Sequence, residues 1–174
     1  MAKAFDEVVA DGLPGLLRYA TVLTGHPDRA EDLVQEVLAR AFEKWHRIST
    51  TDSPNAYLTR MVTNEFLSWR RKLSTRVVVV SPDQIDRTHW HPGEVGTIDD
   101  RAELRALLSR LPPRQHAALV LRYYLGYPDA ESAAMLGCVQ STVRSLCSRA
   151  LATLQLPEDD NAAPAPLALR KAPR

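Results

Sequence analysis

Helical hydrophobic periodicity runs through most of this 174-residue chain and fails over a long interior stretch, residues 74–100. That stretch has no 3.6-residue repeat and contains Pro82, Pro92, Gly93 and Gly96, residue types that disfavour continued helix. It reads as an extended linker between domains. The chain is therefore expected to be all-α: two small helical bundles, residues 1–73 and 101–156, joined by an extended linker at 74–100. Residues 157–174, with Pro157, Pro164, Pro166 and Pro173 among alanines and mixed charges, read as a disordered tail. Within the linker, the valine run 77–80 fits either a short strand or an extended segment laid in a partner's groove.

The end of the second bundle carries the strongest local pattern. Residues 127–154 read as two helices with a tight turn between them. Pro128 suits a helix start, and Asp129 and Glu131 fill the first turn, where the positive end of the helix dipole favours acids. Ala130, Ala133 and Ala134 offer a small-residue face for close helix approach. Gly137 supplies a left-handed stop and Cys138-Val139-Gln140 the turn. Beyond it, Val143, Leu146, Cys147, Ala150, Leu151 and Leu154 form an apolar stripe at helical spacing. The other face holds Ser141, Arg144, Ser145, Ser148 and Arg149 and no carboxylate. Short side chains permit close docking and arginines reach guanine edges or phosphates, so this face fits a recognition helix in a DNA major groove. An ordinary helical hairpin with a solvated face has the same spacing.

The first bundle begins with a helix over residues 5–23 that buries Phe5, Val8, Val9, Leu13, Leu16, Leu17 and Ala20, with Gly12 and Pro14 positioned to break or kink it. Thr24-Gly25-His26-Pro27 is a turn, and Asp28 with Glu31 reads as a capping box for a second helix over 29–45. In that helix Ala30, Leu33, Val34, Val37, Leu38, Ala41, Phe42 and Trp45 make a broad buried stripe. Asp32, Gln35, Glu36, Ala39 and Glu43 gather on the far side as an acidic, hydrogen-bonding strip, or as a plain solvated face. A polar loop over 46–52 precedes Ser53, an N-cap followed by Pro54 at the first helical position. From there to residue 72, Tyr57, Leu58, Met61, Val62, Phe66 and Trp69 point mostly inward. Arg60, Asn64, Ser68 and Arg71 share the outer face, flanked by Arg70 and Lys72. Cations interleaved with aromatics suit a groove for single-stranded nucleic acid, although Phe66 and Trp69 equally suit the core. The second bundle opens with packing leucines 104, 107, 108 and 111, turns at Pro112-Pro113, and continues as a helix over 114–125.

Net charge is only +1, but it is unevenly spread. Residues 55–76 hold Arg60, Arg70, Arg71, Lys72 and Arg76 against Glu65. Residues 104–156 hold arginines 105, 110, 114, 122, 144 and 149 against Asp129 and Glu131. Two basic blocks around an acidic linker suggest two polyanion-binding surfaces on separate modules. Cys138 and Cys147 are the only cysteines and suit small buried hydrophobes. His89 and His91 lack further ligands at a metal-binding spacing, so no metal is expected. No apolar run reaches the ~20 residues of a membrane span and no signal-peptide pattern opens the chain, so a soluble cytoplasmic protein is expected.

Read together, AEDLVQEVLARAFEKW (residues 30–45), YLTRMVTNEFLSWRRK (57–72), LSRLPPRQHAALVLRYY (108–124) and the LGC…STVRS…SRAL hairpin resemble an extracytoplasmic-function (ECF, group IV) sigma factor of bacterial RNA polymerase. The likeness is to the sigma-70 family, in the subgroup common in high-GC bacteria. It implies a region 2-like first bundle and a region 4-like second one. Asp32, Leu33, Gln35 and Glu36 would grip the clamp helices of the largest polymerase subunit. The loop 46–55 would capture a base flipped from the −10 element, with Asn55, Arg60, Asn64, Trp69, Arg70, Arg71 and Lys72 facing that DNA. Ser141, Thr142, Arg144, Ser145, Ser148 and Arg149 would read the −35 duplex, with Arg122 on a phosphate. Further partners implied are the flap of the second-largest subunit and an anti-sigma factor, with no cofactor. Four positions depart from the usual pattern: Ser68 for Asp, Pro128 for Ser, Ser132 for an aliphatic residue and Val139 for a Ser cap.

Two other functions fit parts of the sequence. A dimeric helix-turn-helix regulator would leave the acidic strip and the first basic helix without a role. An enzyme would need a site that the scattered His26, His46, His89, His91 and His116 do not compose, and no phosphate-cradling glycine loop is present.

Overall fold

Gly25 sets the first boundary. Helix α1 (Phe5–Thr24) ends where Gly25 turns left-handed at φ 76°, its N–H donating to the Thr21 carbonyl at 2.8 Å. The His26 N–H then donates to Thr24 Oγ1 at 3.3 Å, and helix α2 (Pro27–Glu43) begins at once. The computed structural model describes residues 4–75 and 98–155, which divide into two units, Met1–Thr97 and Ile98–Arg174.

The break expected at Gly12 and Pro14 does not occur: α1 runs through both. Proline removes one backbone donor, and the exposed Pro14 ring lies off the packed side. Val8, Leu16, Tyr19, Ala20 and Leu23 are buried on either side of it, which offsets the ~3 kcal/mol that an interior proline costs. Gly12 has a packing role instead. A Cβ there would lie 2.9 Å from Asn55 Oδ1, so the missing side chain is what lets Asn55 come close.

Helix α2 starts two residues earlier than its apparent capping box implies. Pro27 occupies the first helical position with His26 as N-cap, and no side chain caps the end. Asp28 consequently sits inside the first turn, where it still opposes the dipole. The helix also stops early, at Glu43, and Trp45–Ile48 form a separate four-residue turn, α3, where a loop was expected. Ile48, only 1% exposed, plugs the bundle from this turn. Helix α4 (Pro54–Thr75) is capped by Ser53, whose Oγ accepts the Ala56 N–H at 3.2 Å. It continues two residues past the expected linker start; the rest of that linker and the tail lie outside the described residues.

Helices α1, α2 and α4 pack pairwise. Their shared core is Leu16, Tyr19, Ala20 and Leu23 against Ala30, Val34, Val37 and Ala41, closed by Leu58, Val62 and Phe66. A long-range polar contact inside this bundle joins the Tyr19 hydroxyl to Thr63 Oγ1 at 2.8 Å. Thr63 spends its own proton on the Thr59 carbonyl at 2.8 Å, so Tyr19 is the donor. Not all of the expected stripe is buried: Phe42, near the C-terminal end of α2, is 65% exposed. Its ring sits T-shaped against that of Phe5, at 5.1 Å between centroids.

In the second unit, helix α5 (Ile98–Ser109) buries Leu108, and Leu111 follows buried, but Leu104 is 53% exposed rather than packed. Helix α6 (Pro113–Leu119) does not continue to residue 125. It widens into a π-helical segment, Val120–Tyr124, in which the Leu125 N–H reaches back to the Val120 carbonyl at 3.0 Å. Helices α7 (Asp129–Leu136) and α8 (Gln140–Leu154) follow, separated by Gly137 at φ 62°. All six stripe positions of α8, Val143 through Leu154, are buried against α6 and α7. The small-residue face of α7 is rotated from expectation. Ser132 and Ala133 are buried while Ala130 and Ala134 face solvent. Ser132, fully enclosed in place of an aliphatic side chain, donates to the Tyr127 carbonyl at 3.4 Å.

Tyr19→Phe leaves the Thr63 oxygen without that buried donor. It is expected to lower the stability of the first unit by about 1–2 kcal/mol, read as a shift of the urea midpoint with an unchanged slope.

Candidate nucleic-acid interface

Burying the stripe of α8 forces its other face outward. Ser141, Arg144, Ser145, Ser148 and Arg149 are all exposed, and Thr142 is half-buried at the edge. The hydroxyl of Ser145 folds back on the Ser141 carbonyl at 2.9 Å, which keeps that side chain short against any docking surface. Arg122, from the π-helical segment, is half-buried over the Tyr123 ring at 5.4 Å. An acid intrudes on this basic face. Asp129 Oδ2 accepts from Arg144 Nε at 2.9 Å, and its Oδ1 lies 3.4 Å from Arg122 Nε. The sequence placed Asp129 in a helix first turn and gave no sign of this pairing, since the partners lie seven and fifteen residues away.

On α4, Asn55, Arg60, Asn64, Arg71 and Lys72 are exposed. Arg60, Asn64 and Arg71 are four and seven residues apart in turn, which places them along one line of the helix. Trp69 is half-buried, packed 6.2 Å from Phe66 and covered by the Arg29 guanidinium at 5.5 Å. Arg70 is half-buried too, with its guanidinium 5.9 Å from the Phe66 ring, and burial lowers its pKa from the usual arginine value. These two are thus less available than their exposed neighbours. Beside α4 the α3 turn leaves a cleft of about 290 Å³ lined by Lys44, Arg47, Ile48, Thr51 and Tyr57. Two cations, an aromatic ring and an apolar floor meet there. From its own residues the sequence suggested a polar loop here, and only the family resemblance implied a base-capturing one.

The acidic strip of α2 is exposed at Asp32, Gln35, Glu36, Ala39 and Glu43. Leu33 is not part of it, being 6% exposed and turned into the bundle. Phe42 is. Seven residues beyond Gln35, it falls two turns along the same edge of the helix, an exposed ring at the border of the strip. Arg40 closes the other border: it pairs with Glu65 of α4 and lies 3.9 Å from Glu36. The hydrogen bond to Glu65 raises its pKa, against the opposing effect of burial.

Among the described residues no group of three histidines, cysteines or carboxylates could hold a metal ion, and no helix is long and apolar enough to cross a membrane. His89 and His91 fall outside those residues.

Comparison with known proteins gives two family matches and several relatives. The pattern described as Sigma-70 region 2 matches residues 8–76, and Sigma-70, region 4 matches residues 101–154. The RNA polymerase sigma-E factor of Streptomyces coelicolor is 35% identical over 156 residues, 87% of this chain and 84% of that protein. The ECF RNA polymerase sigma factor SigL of Mycobacterium tuberculosis is 36% identical over 143 residues, 81% of each. Among solved structures, the sigma factor RpoE from Bartonella quintana, in complex with the anti-sigma factor NepR, is 31% identical with a TM-score of 0.70. That match covers 87% of this chain and 94% of the other.

Packing behind α8 can be read through its cysteines. Desolvation pushes the buried Cys147 thiol up to about 11, with Arg122 pulling the other way. The neutral thiol is thus favoured by folding. That contribution is complete below the ordinary cysteine pKa and lost as pH rises through about 11. At pH 8, Ellman's reagent is expected to modify the half-exposed Cys138 promptly and Cys147 only after denaturation.

Proposed function

This chain belongs to the ECF sigma factors of the sigma-70 family, and from that premise we propose which of its surfaces does which part of the work. It is a promoter-specificity subunit: it binds core RNA polymerase, recognises −35 and −10 promoter elements and stabilises the opened DNA for initiation. It does this in the cytoplasm and without covalent chemistry of its own. The observation that carries the assignment of −35 recognition is the exposed face of α8, to which the helix itself contributes arginines and hydroxyls and no carboxylate. Arg144, Ser145, Ser148 and Arg149 face the −35 major groove, Ser141 and Thr142 approach its edge, and Arg122 meets a phosphate.

Residues 1–73 carry core binding and the −10 element. Asp32, Gln35 and Glu36 meet the basic clamp helices of the largest subunit. Leu33 acts from inside, holding the helix in place. Phe42 adds an exposed aromatic anchor beside the charges, the kind of side chain on which interfaces concentrate their energy. Asn55, Arg60, Asn64, Arg71 and Lys72 track the −10 backbone. The cleft at Tyr57 receives an unpaired base, stacking being worth about 1–3 kcal/mol per base, while Trp69 and Arg70 support that surface from beneath. Each half alone offers few phosphate contacts, so promoter affinity comes from holding both on polymerase at once. The flap of the second-largest subunit is the expected partner of residues 101–156. An anti-sigma protein, of the kind found on RpoE of Bartonella quintana, would hold the chain inactive.

Two measurements test this. Mixed with core polymerase, the chain is expected to yield promoter-specific run-off transcripts; alone, it should bind promoter duplex only weakly. Nanomolar binding to a palindromic duplex without polymerase would instead support a dimeric regulator. Phe42→Ala and Asp32→Lys should each weaken core binding about tenfold with thermal midpoints within a few degrees of the parent. Unchanged core affinity in both would remove α2 from the interface.

A further inference from the structure

Arg144 is exposed, yet it is not loose. Its Nε donates to Asp129 Oδ2 at 2.9 Å, while the side chain as a whole keeps 61% of its surface in solvent. Asp129 is itself anchored: its side chain is 19% exposed, and its Oδ1, shut off from solvent, faces Arg122 Nε at 3.4 Å. Arg122 in turn packs over the Tyr123 ring and approaches the Cys147 thiol. A continuous series of contacts therefore runs from the buried side of the unit to an exposed cation of α8.

The direction of these contacts matters. A guanidinium has two edges that can make paired hydrogen bonds. Asp129 engages Nε, which leaves the pair of terminal nitrogens, the edge that matches guanine O6 and N7. A long arginine held by its Nε also loses little further rotamer freedom on docking. The opposite effect of an acid at a DNA face, repulsion of phosphate, is muted here because two guanidiniums flank the carboxylate.

We propose that Asp129 is a positioning residue for promoter specificity. It holds Arg144 so that its terminal edge pairs with a guanine of the −35 element, and thereby sets base preference at one position without touching DNA. The proposal rests on α8 reading the −35 duplex.

The test uses holoenzyme and a panel of promoters in which each −35 base pair is substituted in turn, with run-off transcription as readout. Arg144→Ala should abolish discrimination at one base pair. Asp129→Ala should lower discrimination at that same pair about tenfold, Asp129→Asn should retain part of it, and the double variant should match Arg144→Ala alone. Glu131→Ala removes an acid from the same first turn without a contact to Arg144, and should leave discrimination as it is. If Arg144→Ala lowers discrimination and Asp129→Ala does not, the proposal fails while −35 reading by α8 survives. If Asp129→Ala lowers transcription equally from every promoter, with a matching loss of thermal stability, Asp129 is structural only and the proposal also fails. If Arg144→Ala leaves base preference intact, the assignment of α8 itself is wrong.

Discussion

Helix α8 buries one side only, and in the second unit that constraint decides which of its side chains are exposed. Val143, Leu146, Cys147, Ala150, Leu151 and Leu154 are all committed to the interior of the hairpin, so the short hydroxyls and two arginines opposite them have no place but the surface. The burial of six such side chains, each worth on the order of 1–3 kcal/mol, fixes the rotation of α8 about its own axis far more firmly than any surface contact could. Gly137 makes the arrangement possible. Its left-handed φ of 62° brings the chain round within the few residues between α7 and α8.

The first unit follows the same rule with a different outcome. There the outward face of α2 is acidic and that of α4 is basic, and the tie between them, Arg40 with Glu65, is itself an ion pair. Such a pair, with Arg40 substantially exposed, contributes little to stability. Its effect is to neutralise the seam, leaving Asp32, Gln35 and Glu36 on one side and Arg60, Asn64 and Arg71 on the other as distinct surfaces. A chain of net charge +1 can in this way present surfaces of opposite sign within one unit.

What the sequence made legible was periodicity and punctuation. The α8 stripe, the stops at Gly25 and Gly137 and the Ser53 cap are all local: a few neighbouring residues carry the whole physical cause. What it concealed depends on where another element ends. Phe42 and Leu104 have the right spacing for a buried stripe but are exposed, 65% and 53%, because spacing alone does not say whether another element packs over them. Ile48 looks like part of a polar loop until α3 folds it under the bundle. The apparent capping box at Asp28 lost to Pro27, whose preset φ starts the helix earlier. Asp129 reads as an ordinary first-turn acid because its two partners reach it through the tertiary fold.

The π-helical segment Val120–Tyr124 carries a consequence of its own. Such a turn accommodates one residue more than an α-turn does. Removing a single residue there would swing what precedes it by roughly 100° relative to the hairpin, and Arg122 would no longer meet the carboxylate it braces. Chain length in one widened turn thus bears on the alignment of a side chain twenty-two positions later.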